Sequence, residues 1–261
     1  MTLSLSIGGI EIKIVHKDGQ FLIRRFASFL SNGGGFPTLK LEVRTCDSSL
    51  SVDFSLPSLL HIHSEGEKVV IERAGFRGYI NLKTLEGEVE LFNENTFESF
   101  LRVVCSLILL KENGLSIHAS SLIRNGKAYV FPGESEAGKT TIVRLSPEAI
   151  LLTDEISIIR GIGSVPIAYG TPFRSDLEIC GDNVSAPVKG LYFPVKDKEN
   201  YICKLSDKSA LAKLLSNVVI FGQDHNLMQK AFYLAYDLVA SLPCYDLHFL
   251  PEPSFWDCID E

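Results

Sequence analysis

From Met1 to Asn93 apolar residues recur at every second position: Leu3, Leu5 and Ile7, then Leu39, Leu41 and Val43, then Val69 and Ile71, and later Val89 and Leu91. A period of two places one set of side chains on one face of a strand, so this stretch predicts a β-rich unit with one buried face. Met1 to Ile14 reads as a strand. Phe21 to Leu30 fits either a short helix or another strand, and Ser31 to Gly35 after it predicts a loop serving as a hinge or tip. The period then lengthens. Thr96 predicts an N-cap that accepts a backbone hydrogen bond, and Phe97, Phe100, Leu101, Val104 and Ile108 follow at helical spacing, which places a helix over about 96–112 that ends near Gly114.

Two apolar runs come next, Leu115 to Ile123 and Ala128 to Pro132, with Arg124, Asn125 and Gly126 as a tight turn between them. They predict a hairpin that delivers the chain to a glycine-rich loop. Ile150 to Arg160 and Gly190 to Val195 read as strands, Asp207 to Leu215 and Asp224 to Leu242 as helices, and Tyr245 to Leu250 as a final strand. The expected fold class is α/β in the mixed α+β sense. Its expected division is a β-rich domain over 1–113, carrying the helix at its end, and a second domain over 114–261.

Composition narrows the class of function. The chain has 261 residues, 46% hydrophobic and 22% charged, enough apolar surface for two modest cores and too much for disorder. A formal net charge of −7 argues against a sequence-independent grip on nucleic acid, which needs a positive surface. The six cysteines show no Cys-x-x-Cys spacing, so they suggest neither a zinc ribbon nor a redox pair and read as reduced core residues. The N-terminus lacks the basic start and continuous apolar core of a signal peptide, so a cytoplasmic location is expected. Phe97 to Leu110 is interrupted by Glu98 and Arg102 and falls short of the roughly 20 residues that span a bilayer, so it predicts a buried helix and no membrane association.

Gly133-Glu134-Ser135-Glu136-Ala137-Gly138-Lys139-Thr140 matches G-x-x-x-x-G-K-[ST] at each fixed position and follows an apolar strand. The glycines let backbone amides turn inward around a phosphate, the next helix adds its positive end, and Lys139 reaches the outer phosphates. Gly133 to Thr141 are the candidate nucleotide-binding residues, with Thr140 offering its hydroxyl to Mg²⁺ and with Glu134 and Glu136 facing solvent. Magnesium-dependent phosphoryl transfer also needs a carboxylate beside the loop. Ile150-Leu-Leu-Thr-Asp154-Glu155 supplies an apolar strand ending in two acids, one to hold metal and one to take a proton from an attacking hydroxyl.

At these residues the chain resembles the catalytic domain of HPr kinase/phosphorylase, a fold related to phosphoenolpyruvate carboxykinase. Ser116-Ile-His118-Ala-Ser120 stands where the family carries a histidine on the hairpin before the loop. Thr153-Asp154-Glu155-Ile156 stands where it carries paired acids, and Tyr169-Gly170-Thr171-Pro172-Phe173 looks like its Gly-Thr-Pro-Phe stretch. The resemblance covers roughly 114–250. It implies a phosphate-loop kinase domain in which Thr140 and Glu155, with Asp154, place Mg²⁺, Asp154 is the general base, Lys139 acts on the β- and γ-phosphates, and His118 sits near the transferred group. Two departures are visible: Glu155 replaces the family's second aspartate, and the family's basic, proline- and glycine-containing substrate loop has no copy, which turns the expected acceptor away from HPr. Kinases of peptide-maturation clusters, which phosphorylate a precursor's terminal serine, depart in the same way.

Other signals weigh less. Arg174 is a candidate for neutralising charge on the transferred group, against the plainer reading of a surface arginine. Arg144 is expected to be solvated. His61 and His63 share a strand face and begin a metal site, but no third ligand stands nearby in the sequence, so a solvated face is the expectation. A hydrolase triad is set aside for want of a G-x-S-x-G elbow. The sequence thus predicts an ATP- and Mg²⁺-dependent kinase acting on a hydroxyl of a protein, peptide or small molecule, and leaves a homo-oligomer open. Two rival readings are a nucleotide-gated binding module without turnover and a carboxykinase-like enzyme acting on a small carboxylic acid.

Overall fold

A computed structural model describes residues 1–33, 38–46, 59–175, 179–222 and 224–260, so Gly34 and Gly35 of the expected hinge lie outside the described residues. The chain is mixed α+β and divides into two compact units, Met1–Ile108 with Phe221–Asp224, and Leu109–Ile220 with His225–Glu261. Among the described residues, no helix is long and apolar enough to cross a membrane.

In the first unit the strand expected over Met1 to Ile14 is two strands, β1 (Thr2–Ile7) and β2 (Ile10–Val15), paired antiparallel. Gly8 and Gly9 turn the chain between them at φ 58° and 74°, a left-handed backbone that glycine adopts without a Cβ clash. Phe21 to Leu30 satisfies both of its readings in part. Its first turns form α1 (Gln20–Phe26), a 3₁₀ turn follows at Ala27–Phe29, and Leu30 enters the short strand β3 (Leu30–Ser31) against β1. β4 (Thr38–Thr45) lies parallel to β2. β5 (His61–Glu65), β6 (Lys68–Arg73), β7 (Phe76–Asn81) and β8 (Glu86–Leu91) run as an antiparallel meander, and β8 returns parallel to β4. The 8-stranded sheet has the order β3-β1-β2-β4-β8-β7-β6-β5. Its period-two pattern holds in β4, where Leu39, Leu41 and Val43 are buried and Lys40, Glu42 and Arg44 exposed.

The helix α2 (Phe97–Lys111) brings apolar cover to this unit: Phe97 meets Phe21 and Phe26 edge-on, and Phe100 meets Phe76. Glu98 is buried at 5% exposure, a cost offset by two guanidiniums, Arg25 at 2.7 Å and Arg102 at 2.8 Å. The N-cap differs from expectation. Asn93 accepts from the Asn95 amide, opening a 3₁₀ turn at Glu94–Thr96, while the Thr96 hydroxyl donates to the Gly75 and Asn93 carbonyls.

The second unit begins with the expected hairpin, β9 (Leu115–Arg124) and β10 (Lys127–Pro132), turned at Asn125 and Gly126 with φ 52° and 71°. Then come α3 (Lys139–Arg144), β11 (Ile150–Thr153), β12 (Ile156–Arg160), β13 (Ile167–Tyr169), β14 (Ser185–Lys196), β15 (Tyr201–Lys204), α4 (Asp207–Leu215), α5 (His225–Ser241), β16 (Cys244–Phe249) and α6 (Phe255–Asp260). The single run Ile150 to Arg160 is therefore split at Asp154-Glu155. Thr153 causes the break locally: its hydroxyl oxygen accepts from the amides of Glu155 and Ile156, which a continuing strand would direct sideways. Pairing runs β10-β9-β12-β13-β14, and β14 also pairs parallel with β10, so these five strands close on themselves; β16 and β15 continue outward from β14, and β11 pairs with β9. One core, with α4 and α5, includes Leu115, Ile117, Val130, Leu191, Leu214 and Leu238. The other, with α3 and α6, includes Phe131, Ile142, Tyr192, Phe249, Phe255 and Trp256.

Two glycines show how closely the chain crosses itself beside β11. A Cβ at Gly181 would lie 1.8 Å from the Leu152 carbonyl oxygen, and one at Gly170 would lie 1.7 Å from that of Asp182. The contact is backbone to backbone: Thr171 and Asp182 donate their amides to Leu152 and Leu151 at 2.9 and 2.8 Å. Gly181→Ala is expected to destabilise the protein by about 3 kcal/mol, because no flexible side chain can give way. Urea unfolding of the variant against the parent checks this, with Gly163→Ala, where a Cβ meets open space and only φ 87° opposes it, as the milder comparison.

Candidate functional site

The glycine-rich loop leaves β10 at Pro132 and enters α3 at Lys139. Its backbone is left-handed at Glu136, φ 67°, and at Gly138, φ 107°. Gly138 is required twice over, by that φ and because a Cβ there would meet the Phe249 ring at 2.7 Å. Glu134 and Glu136 are exposed, Thr140 and Thr141 half-buried. α3 is six residues long, and the Ala137 amide within the loop donates to the Glu134 carbonyl at 3.2 Å.

Lys139 is buried, at 7% exposure, and its ammonium donates to the carbonyls of Gly133 and Glu134 at 2.7 and 2.9 Å. Burial lowers its pKa from the ordinary value, opposed by the negative charges of Glu155 and Asp154. That opposition means both acids lie within electrostatic reach of the loop's lysine. Asp154 is buried at 1% exposure, and its carboxylate accepts from Ser175, the amide at 3.3 Å on Oδ1 and the hydroxyl on Oδ2. Glu155 is more accessible. Its Oε2 lies 3.9 Å from Nε2 of His118, with both side chains part-exposed.

Backbone hydrogen bonds set these positions. The His118 carbonyl accepts from the Gly133 amide at 3.2 Å, the Ala119 amide donates to the Glu155 carbonyl at 3.1 Å, and the His118 amide donates to the Asn217 carbonyl at 2.7 Å. The Gly-Thr-Pro-Phe segment reaches the same place from behind, where the Thr171 hydroxyl bonds to Thr153 Oγ1 at 3.0 Å and faces the Ile156 carbonyl at 3.1 Å. His118, the loop, Asp154 and Glu155 are thus brought together.

No protein-family model matches this chain, and no curated protein does either.

Three contributors escaped the sequence reading. Ser175 holds Asp154, Asn217 holds the His118 backbone, and Phe249 props Gly138. Ser175 had a signal in its place just beyond the Gly-Thr-Pro-Phe stretch; Phe249 and Asn217 had none, since each acts from a distant element. Arg144 is exposed as expected, and Arg174 is half-buried next to Ser175.

The direction of the Lys139 shift gives a pH test. A lysine whose folded pKa lies below its ordinary value of 10.5 binds fewer protons in the folded state between those two values, so stability rises with pH across that window. Lys139→Met removes this rise. Urea unfolding at a series of alkaline pH values checks it: the parent gains stability relative to Lys139→Met as pH climbs towards 10.5.

Proposed function

We propose that this chain is an ATP- and Mg²⁺-dependent kinase of the HPr-kinase-like, phosphate-loop type, transferring a γ-phosphoryl group to a hydroxyl of a protein, peptide or small molecule, and acting in the cytoplasm. The observation that carries the reading is convergence: a desolvated lysine on the glycine-rich loop, a buried aspartate that already receives a hydroxyl hydrogen bond, and a part-exposed Glu155–His118 pair meet where β10 and β11 end beside His118 of β9.

The residues fit the ligands. Gly138 leaves the loop backbone bare on a rigid aromatic base, and the oxygen donors of Thr140, Asp154 and Glu155 are the hard ligands that magnesium takes. Charge points the same way, because one lysine beside two carboxylates does not attract a polyanionic nucleotide unless a divalent cation accompanies it. When bound, MgATP supplies the phosphoryl group and the cation that neutralises its oxygens.

This chain's own groups then do three things. The loop amides and Lys139 hold phosphate oxygens and stabilise charge as it develops on them. Asp154 takes the proton of the attacking hydroxyl, an interaction for which the Ser175 hydroxyl on Oδ2 is a stand-in of the same chemistry. His118 with Glu155 forms the polar wall beside the transferred group.

Thermal melting with ATP, GTP, pyrophosphate and phosphate, each with and without Mg²⁺, checks binding. A Mg²⁺-dependent rise is expected in the parent, corresponding to about 2.7 kcal/mol at a ligand concentration 100 times Kd, and its loss in Lys139→Ala. Radiolabel transfer separates kinase from binding module: Asp154→Asn, whose amide oxygen still offers magnesium a neutral donor, is expected to keep a reduced thermal shift and lose roughly 10²- to 10⁴-fold in transfer. A parent that binds nucleotide and never turns it over sinks the kinase reading.

A further inference from the structure

The sequence left His61 and His63 without a third ligand; the sheet provides one. The two histidines lie two residues apart on β5, the edge strand among the described residues, with ring centroids 5.3 Å apart, and Glu72 on β6 is the register partner of His61. One ligand atom from each of His61, His63 and Glu72 falls within 4.8 Å of the others. We propose that these three side chains bind one divalent transition-metal ion of the zinc class, a site separate from the phosphate loop and independent of the proposed kinase activity.

The surroundings suit ligation. Nδ1 of His63 is shielded from solvent and, among the described residues, has no hydrogen-bond partner, while its Nε2 faces Glu65 Oε1 at 3.4 Å. A carboxylate on the far ring nitrogen is the partner that orients a ligating imidazole and fixes its tautomer. Glu72 is arranged in the same sense: Arg77 Nε donates to Oε1 at 2.6 Å, and Oε2 lies 4.0 Å from His61 Nδ1. Two imidazoles and one carboxylate are a borderline donor set that favours zinc, cobalt or nickel over magnesium or calcium. Three protein ligands leave at least one tetrahedral position for water or another donor. A bound ion ties β5 to β6, so it holds the strand that, among the described residues, has a neighbour on one side only.

The test uses the full chain, stripped with a chelator, free of nucleotide and kept in excess Mg²⁺ so that hard-oxygen sites are filled. Zn²⁺ is titrated by calorimetry, Co²⁺ by visible absorption. The expected result is one ion per chain with micromolar or tighter affinity, a rise in melting temperature with Zn²⁺, and weakening of tenfold or more in each of His61→Ala, His63→Ala and Glu72→Gln. Lys139→Ala and Cys46→Ser are expected to bind as the parent does. Glu72→Gln is nearly isosteric, so it reads the ligand role even if a histidine variant melts early. Binding unchanged in Glu72→Gln, binding lost in Cys46→Ser, or no binding in the micromolar range would each overturn the proposal.

Discussion

Two consecutive residues on β9 hold the candidate site together through their backbones. His118 and Ala119 hydrogen-bond to Gly133 at the start of the glycine-rich loop, to Glu155 in the acidic pair and to Asn217 beyond α4. A strand hydrogen-bonded along both edges cannot slide without breaking every one of these bonds at once, so the loop, the acids and the histidine share one register. The Ile117–Val218 bridge and the bond from the Val219 amide to the Ser116 carbonyl, 2.8 Å, extend the lock one turn of pleat further.

The loop is held from below by packing. Phe249 ends β16 under Gly138, and it belongs to an aromatic layer with Phe131, Tyr192, Phe255 and Trp256. Trp256 is fixed in turn, its indole donating to Ser146 Oγ at 2.8 Å and its ring lying 4.8 Å from the Arg124 guanidinium. Packed rings on one side and left-handed backbone at Glu136 and Gly138 together set the path of the loop into the short α3. Lys139, next to Gly138, is itself buried, and its ammonium finds partners in the loop carbonyls and in the charges of Asp154 and Glu155.

The first unit is organised by a different constraint. Its sheet buries one set of alternating side chains and leaves the other as a charged surface, with Arg44 paired to Glu42 and Lys68 over the Tyr79 ring at 4.1 Å. The β5 edge carries its two histidines on the partly exposed side, and cross-strand register, not sequence proximity, brings Glu72 to them.

Sequence alone determined what depends on near neighbours. The alternation in β4 and β8, the turn at Asn125-Gly126, the glycine-rich loop and the helix over Asp207 to Leu215 are each written within a few residues, because backbone conformation and side-chain period are local properties. The same local reading ran two strands together at Gly8-Gly9 and again at Asp154-Glu155, since apolar residues on both sides of a short turn keep the same period. Only the tertiary structure decided which distant groups meet: Ser175 on Asp154, Asn217 on His118, Phe249 beneath Gly138, Glu72 opposite His61. Those meetings are fixed by strand register and core packing, which sum over many residues far apart in the chain and leave no mark on any one segment.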